Sequence, residues 1–361
     1  MSKARGLAAL GNAYSDGALC NRSMIINGAM QVAQRGTQTG LTSSAYTLDR
    51  WQLIASGAGT FTVSQENDGP SGFPQSTKID CTTADSSNTA GELLYFRQML
   101  EGRDCQRLAF GTPDAQSFTV SFWVKSNQAA TYVLTIQQGA SGSLSGKTFS
   151  INSADTWEYK SVTFIGDTAN AIANDSNIGL QVQCWLQAGS SYTTGALNQG
   201  WDAAALGDYA AGITATIGDS ASDYWQITGV QLEVGDTATP FEHRSYGDEL
   251  ARCQRYTYII AGLGQYGVGS IWSASSAYIS IDLPVSMRAT PTLESQSGTD
   301  FYRIYSGSQT FNIDDIVGHQ DAGTGLSHFT FYATSHSMTT GRGAWLQGTS
   351  SSSRLIFDAE L

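Results

Sequence analysis

From about residue 59 to residue 235 the chain keeps returning to one pattern: five to eight residues in which apolar and polar side chains alternate, closed by Gly, Asn, Asp or Ser. In SFTVSFWVKS, residues 117–126, Phe118, Val120, Phe122 and Val124 point one way and Thr119, Ser121, Trp123 and Lys125 the other. A period of two is that of a half-buried strand, because successive strand side chains face opposite sides of a sheet. GTFTVSQE (59–66), TYVLTIQQ (131–138), TWEYKSVTFIG (156–166), IGLQVQCWLQAG (178–189) and YWQITGVQLEVG (224–235) repeat it, and helix-period segments are almost absent. The predicted fold class is all-β, an antiparallel β-sandwich or jelly roll.

The last of these runs changes phase. Trp225 and Ile227 are apolar in one register, Val230, Leu232 and Val234 in the other, and Gly229 stands at the change. A bulge there restores one buried face and predicts Val230, Leu232 and Val234 in the core. In GDTATPFEHRSYGDELARCQR, which follows, Pro240 stops central pairing and Ser245 is placed to cap a short helix with Asp248 and Glu249 in its first turn. Glu233, Glu242, His243 and Asp248 are therefore expected to serve strand, turn and cap rather than converge on one ligand. Beyond Tyr256 short alternating runs resume, as in AYISIDLP (277–284), and predict a second, smaller β domain. No fixed-period repeat is present.

Composition narrows the partners. Charged residues are 14% of 361, net charge is −12, and the basic residues are scattered. Duplex nucleic acid and anionic membrane surfaces both need a basic footprint, so neither is expected. No run of 18 or more apolar residues occurs, so no membrane-spanning helix is predicted, and the N-terminal Leu7 to Leu10 stretch is too short for a signal peptide. The expectation is a soluble chain. Five cysteines (Cys20, Cys81, Cys105, Cys184, Cys253) form no CxxC pair and read as reduced structural thiols.

Spacing limits the chemistries this chain can carry out. Asp248 and Glu249, or Asp314 and Asp315, offer adjacent carboxylates for glycan cleavage, but neighbours on one strand or helix point apart. His243, His319, His328 and His336 include no metal-binding i, i+4 or His-x-His pair. There is no G-x-S-x-G elbow, and Cys253 lies ten residues from His243 across a helix start. No enzyme, metal or cofactor is expected. Aromatic side chains remain, with eight Trp and sixteen Tyr. Trp123 sits on the polar side of its strand and Trp157 starts one. The loop SSYTTGALNQGWDAAALGDYAAG (190–212) carries Tyr192, Trp201 and Tyr209, the candidate ligand-binding residues. Such a loop serves either as a sugar-stacking platform or as a packing surface for a neighbouring subunit.

RSMIINGAMQVAQRGT (22–37), YTLDRWQ (46–52) with FTVSFWVKS (118–126), and YWQITGVQLEVGDTATPFEHRSYGDELARCQRY (224–256) resemble the signature of a family of bacteriophage virion appendage proteins, tail-fibre-like subunits. A weaker likeness continues through LPVSMRATPTLE (283–294) to LIFDAEL (355–361). The first domain is also similar to the jelly roll of carbohydrate-binding modules: Asn27 and Gly28 match its opening segment. Ala29, Met30 and Gln31 replace its acidic and aromatic positions, and Gly229 stands where an Asp is common, so the carboxylates of a structural calcium site are not matched.

The resemblance implies an N-terminal anchoring arm (1–20) that contacts other virion proteins, a jelly roll (21–244), a connecting helix (245–256) and a C-terminal β domain (257–361). It implies a homo-oligomer, a trimer by expectation, assembled into a virion in the host cytoplasm. The function expected is structural and receptor-recognising, through weak multivalent contacts with host surface polysaccharide. The alternatives are a head-decorating or joining protein without a receptor and, third, a glycan depolymerase.

Overall fold

The alternating runs are strands in the computed structural model, which describes residues 21–87, 89–296, 300–313, 316–317, 328–334 and 337–361, with backbone alone at 317 and 328–334. The chain divides into one unit that runs to Glu249 and takes in Leu361, and a second, Leu250–Glu360.

The first unit holds β1 (Gln38–Leu41), β2 (Ala45–Tyr46), β3 (Trp51–Ser56), β4 (Thr60–Glu66), β5 (Ser76–Thr83), β6 (Leu93–Glu101), β7 (Phe118–Ser126), β8 (Thr131–Gln138), β9 (Ser143–Ser150), β10 (Glu158–Phe164), β11 (Ile178–Ala188), β12 (Asp202–Ala203) and β13 (Tyr224–Val234). They form two antiparallel sheets, a six-stranded one in the order β1-β4-β5-β13-β7-β10 and a seven-stranded one in the order β12-β9-β8-β11-β6-β3-β2. This is an antiparallel β-sandwich of the jelly-roll type, as the alternation predicted. Phe118, Val120, Phe122 and Val124 from one sheet meet Tyr132, Leu134, Ile136, Val182, Cys184 and Leu186 from the other in one buried core. Trp51 stacks on Phe96 at 5.1 Å within it. Each such side chain contributes about 1.5–3 kcal/mol by leaving water.

β13 bears out the phase change. Its pairing with β7 shifts between Thr228 and Gln231, and Gly229 adopts φ 62°. Trp225, Ile227, Val230 and Leu232 are all buried, so the bulge keeps one apolar face inward on both sides of Gly229. Val234 corrects the expectation: it is 36% exposed. It is the last residue of β13, paired with the first residue of β7 and followed by Gly235 at φ 116°, where the strand leaves the sheet.

Two short α-helices, α1 (Ser190–Thr193) and α2 (Tyr246–Gln254), are described, with 3-10 turns at Gly102–Leu108 and Leu206–Asp208. Ser245 caps α2 as its sequence implies: its hydroxyl accepts the Asp248 N–H at 3.2 Å and donates to the Asp248 carboxylate at 2.7 Å.

The second unit contains β14 (Thr257–Ala261), β15 (Gly264–Ser273), β16 (Ser276–Asp282), β17 (Thr292–Ser295), β18 (Tyr302–Ser306), β19 (Gln309–Ile313), β20 (Ile316–Val317), β21 (His328–Thr334), β22 (Gly343–Gly348) and β23 (Arg354–Asp358). A three-stranded sheet, β14-β23-β17, accompanies a seven-stranded one, β19-β18-β22-β15-β16-β21-β20. Tyr302, Ile304, Leu346, Ile279, Ile281, Leu355 and Phe357 share its core. Residues 1–20, with Cys20, and Asp314, Asp315, His319 and His336 lie outside the described residues; His328 is described as backbone within β21.

Candidate functional site

The alternation that buries one face of the first unit's seven-stranded sheet leaves the opposite face to polar residues. Strand register aligns that outer face in rows. Gln52, Arg97, Gln183 and Thr135 lie opposite one another across β3, β6, β11 and β8, and Ile54, Tyr95, Trp185 and Val133 form the next row. Gln181 faces Gln137 in a third. A strip of amides and one guanidinium therefore runs beside a Tyr–Trp pair, set by four strands.

The strip is a connected network. The Arg97 guanidinium donates to Gln52 Oε1 at 2.8 Å and to Gln181 Oε1 at 2.7 Å. Gln183 Nε2 donates to Gln137 Oε1 at 3.2 Å, and Gln137 Nε2 to the Tyr209 hydroxyl at 2.7 Å. Trp185 Nε1 donates to Thr135 Oγ1 at 3.0 Å, and that hydroxyl to Gln183 Oε1 at 3.2 Å. The Tyr95 and Trp185 rings are 4.5 Å apart, tilted by 35°. Burial raises the phenol pKa of Tyr95, and of Tyr209 where the Gln137 contact offsets part of it, so both hydroxyls are neutral at physiological pH. This network includes no carboxylate. Its one charge, the Arg97 guanidinium, is shared between two amide oxygens, and with the other donors, acceptors and half-buried ring faces it suits a hydroxyl-rich ligand.

The 189–213 segment folds over one side of this face. Tyr192 and Tyr209 flank Trp185 at 5.6 and 5.9 Å. Gly146 lets it approach: the Gly146 N–H donates to Asn198 O at 2.7 Å, and a Cβ there would stand 2.8 Å from Leu197 Cδ2. Of the three aromatics singled out in sequence, Tyr192 and Tyr209 thus border the strip. Trp201 does not share it: its Nε1 donates to Ile165 O at 2.7 Å, and its ring packs edge-on against Phe110 at 5.1 Å. The loop is a partial roof whose half-buried rings turn toward the sheet. Gln52, Tyr95, Arg97, Gln137, Gln181, Gln183 and Trp185 were not singled out. For Gln137, Gln181, Gln183 and Trp185 the signal is the polar phase of TYVLTIQQ and IGLQVQCWLQAG, meaningless until the strands are paired; Gln52, Tyr95 and Arg97 lie on β3 and β6, outside both runs.

The charged cluster around α2 does other work. Glu242 accepts the Ser23 N–H at 3.0 Å, and Arg244 donates to Ser23 O at 2.6 Å and Ile25 O at 3.0 Å. Arg244 lies 3.5 Å from both Glu242 and Glu249, and Glu249 accepts the Asn27 N–H. Together they clamp residues 23–27. Glu233 accepts the Thr239 N–H at 2.8 Å, Asp248 is spent on the cap, and the His243 ring lies against Phe73 and Phe241 at 5.1 and 4.9 Å. Asn27, at φ 57°, gives its side chain to Val32 and to Asp49 O. Among the described residues no group of three or more His, Cys, Asp or Glu is placed to hold a metal ion.

On the six-stranded sheet, Glu66, Asp68, Lys78, Lys125, Tyr224 and Gln226 line a depression of about 300 Å³. Its lysines are already paired, Lys125 with Asp68 and Lys78 with Asp80.

No protein-family model and no curated protein matches the sequence. Among solved structures, the chain is similar to the enzymatically active domain of tailspike protein 4 of bacteriophage CBA120, at 14% identity and a TM-score of 0.33, covering 59% of this chain and 22% of that one. It therefore spans less than a quarter of that protein's length. It is similar also to a family 11 carbohydrate-binding module of Clostridium thermocellum (9% identity, TM-score 0.28, 57% of this chain and 98% of that one). A third is the module TmCBM61 in complex with β-1,4-galactotriose (9% identity, TM-score 0.27, 60% and 100%).

Proposed function

We propose that the chain is a non-enzymatic structural and receptor-recognition subunit of a phage particle, and that its first unit binds neutral glycan on the outer face of the seven-stranded sheet. The observation that carries the binding role is the unbroken run from Gln52 through Arg97, Gln181, Gln183 and Gln137 to the Tyr209 hydroxyl, laid beside Tyr95 and Trp185. Sugar hydroxyls exchange water for the half-buried Gln52, Arg97, Gln181 and Gln137 while C–H faces pack on the half-buried rings of Tyr95, Tyr192 and Tyr209, with the buried Trp185 and Gln183 bracing them from beneath. Tyr192 and Tyr209 wall one side of the site. The place in a virion rests on the three sequence stretches quoted above. The non-catalytic role is supported by Asp248 and Glu249, which are spent on a helix cap and on the clamp of residues 23–27.

A shallow, partly solvated face of this kind gives millimolar to micromolar affinity, about −4 to −8 kcal/mol, and a homo-oligomer raises it through repeated contacts. The test is a neutral-oligosaccharide array probed with the full chain and with Arg97→Ala. Loss of the guanidinium removes its own contacts and leaves Gln52 Oε1 without its donor and Gln181 Oε1 with only the 3.4 Å contact from Gln183, so binding should fall about tenfold while the melting temperature stays near that of the parent. Array signals equal for parent and variant, or absent for the parent, would sink the reading.

A further inference from the structure

The second unit repeats the constellation on a different sheet. On β18 and β22, Tyr305 lies directly opposite Trp345 and Arg303 opposite Gln347, as Tyr95 lies opposite Trp185 and Arg97 opposite Gln183 on β6 and β11. The ring pairs are cross-strand neighbours in both units, at 5.4 Å for Tyr305 and Trp345 and 4.5 Å for Tyr95 and Trp185. The third partner also recurs: Arg303 Nε donates to Asn312 Oδ1 at 2.9 Å across β18 and β19, where Arg97 Nε donates to Gln52 Oε1 at 2.8 Å across β6 and β3. In each case the alternating residues between them, Ile304 and Leu346 here, are in the core, as is Tyr302 before them, so all of these side chains occupy one outer face.

The two faces differ in cover. Trp185 is 2% exposed beneath Tyr192 and Tyr209, whereas Trp345 is 38% exposed, and Val268, its neighbour on the other side in β15, is 57% exposed. Large apolar side chains left to solvent in a row mark a contact surface. A row of Asn, Arg and Gln immediately beside them adds hydrogen-bonding groups that a purely apolar contact does not use.

We infer that the outer face of β19-β18-β22-β15 is a second, open binding site for neutral glycan, with Tyr305, Trp345 and Val268 as its packing surface and Arg303, Asn312 and Gln347 as its hydrogen-bonding edge. The inference rests on the reading of the first unit, because it is the same arrangement that identifies both. It gives one chain two sites, and a polysaccharide long enough to reach both dissociates only when both let go.

The experiment uses the full chain in affinity electrophoresis through gels containing β-1,4-galactan, xyloglucan or mixed-linkage β-glucan, with sedimentation run in parallel. Trp345→Ala should weaken retention at least tenfold with Arg97 intact, Trp345→Phe should restore part of it, and Trp345→Ala with Arg97→Ala should abolish it. Should Trp345→Ala lower the melting temperature, Arg303→Ala reads the same edge without touching a ring. Retention unchanged by Trp345→Ala and Arg303→Ala, but lost in Arg97→Ala, overturns the second site and leaves the first. Retention lost in the Trp345 variant and unchanged in Arg97→Ala sustains the second site and overturns the first. A Trp345 variant that binds normally but sediments as a smaller species makes this face a contact between copies and overturns the inference. A parent chain retained by none of the three polysaccharides overturns both.

Discussion

Replacing Gly229 by Ala tests the bulge on which the first unit's closing strand depends. The residue adopts φ 62°, a left-handed conformation that costs an L-residue with a Cβ about 1–2 kcal/mol. The added Cβ would also stand 2.8 Å from Phe73 Cζ, 2.9 Å from Phe73 Cε1 and 3.2 Å from Trp123 Cδ1. Phe73 has little room to yield, since Phe241 and His243 pack on it at 5.0 and 5.1 Å. Crowding of this sort costs about 1–3 kcal/mol. The expected total is roughly 2–5 kcal/mol, a large part of the 5–15 kcal/mol that holds a domain folded. Urea unfolding of the full chain measures it, with hydrogen exchange at the Trp225 and Ile227 amides assigning the transition to the first unit. Phe73→Ala supplies the control. It removes the two closest contacts and leaves the backbone strain and the 3.2 Å approach to Trp123 Cδ1, so Gly229→Ala should cost about 1–2 kcal/mol in that background. A Gly229→Ala cost within about 0.5 kcal/mol of zero, or the same cost in both backgrounds, refutes the reasoning.

Three further outcomes are expected. Arg244→Ala leaves two carbonyls and the carboxylates of Glu242 and Glu249 without their guanidinium, so the clamp on residues 23–27 should lose about 3 kcal/mol, seen as faster hydrogen exchange at Ile25 and Asn27. Glu242 is partly buried, which by itself raises its pKa, but the Ser23 N–H and Arg244 outweigh that and hold it below the ordinary carboxylate value; Glu158 is held down to about 2, its burial outweighed by Lys160 and the N–H groups of Ser153 and Asn152. A depressed folded-state pKa stabilises above the unfolded value and loses that contribution as pH falls through the folded one. The melting temperature should therefore be level above about pH 5 and decline below about pH 4, with a shallower decline in Glu242→Gln and Glu158→Gln. Burial pushes the Cys81 thiol up to about 11 and Cys184 to about 12, and raises Cys105 further, so peptide mapping after native alkylation near neutral pH should find these three unmodified until the chain is unfolded.

The fold was legible where one physical signal sufficed. Alternation in SFTVSFWVKS needs only a core on one side, and Phe118, Val120, Phe122 and Val124 are buried as it requires. Ser245 and Asp248 declare a helix start by local hydrogen bonding, and Gly229 declares a bulge because the apolar phase changes across it. Val234 shows the limit of that signal: periodicity states which way a side chain points, and burial requires something opposite to meet it. β6 was not anticipated because its inward residues include Gln98, buried through hydrogen bonds to the N–H and C=O of Ile26 that only tertiary structure supplies.

The site was far less legible, for a reason that lies in sheet topology. Gln52, Arg97, Gln183 and Thr135 lie on four strands, each of which contributes one unremarkable polar residue to the row. No spacing along the chain relates Gln52 to Gln183; the strand order β8-β11-β6-β3 does. The aromatic loop drew attention because its rings interrupt a polar segment, and two of the three do border the strip, while Trp201 is drawn to the core rim by Ile165 O and Phe110.

The same topological rule gives the two-site proposal its force. A Tyr opposite a Trp with an Arg opposite a Gln two residues along is a two-strand unit that any antiparallel pair displays on one face once the register is fixed. On β6 and β11 the order along the first strand is Tyr95 then Arg97; on β18 and β22 it is Arg303 then Tyr305. The order is reversed, so the second arrangement is not a copied sequence segment. What recurs is the spatial relation of a ring pair to a guanidinium flanked by amides. If both faces bind neutral glycan, selection acted on that surface relation rather than on a motif, and a search for such sites must pair strands before it compares residues.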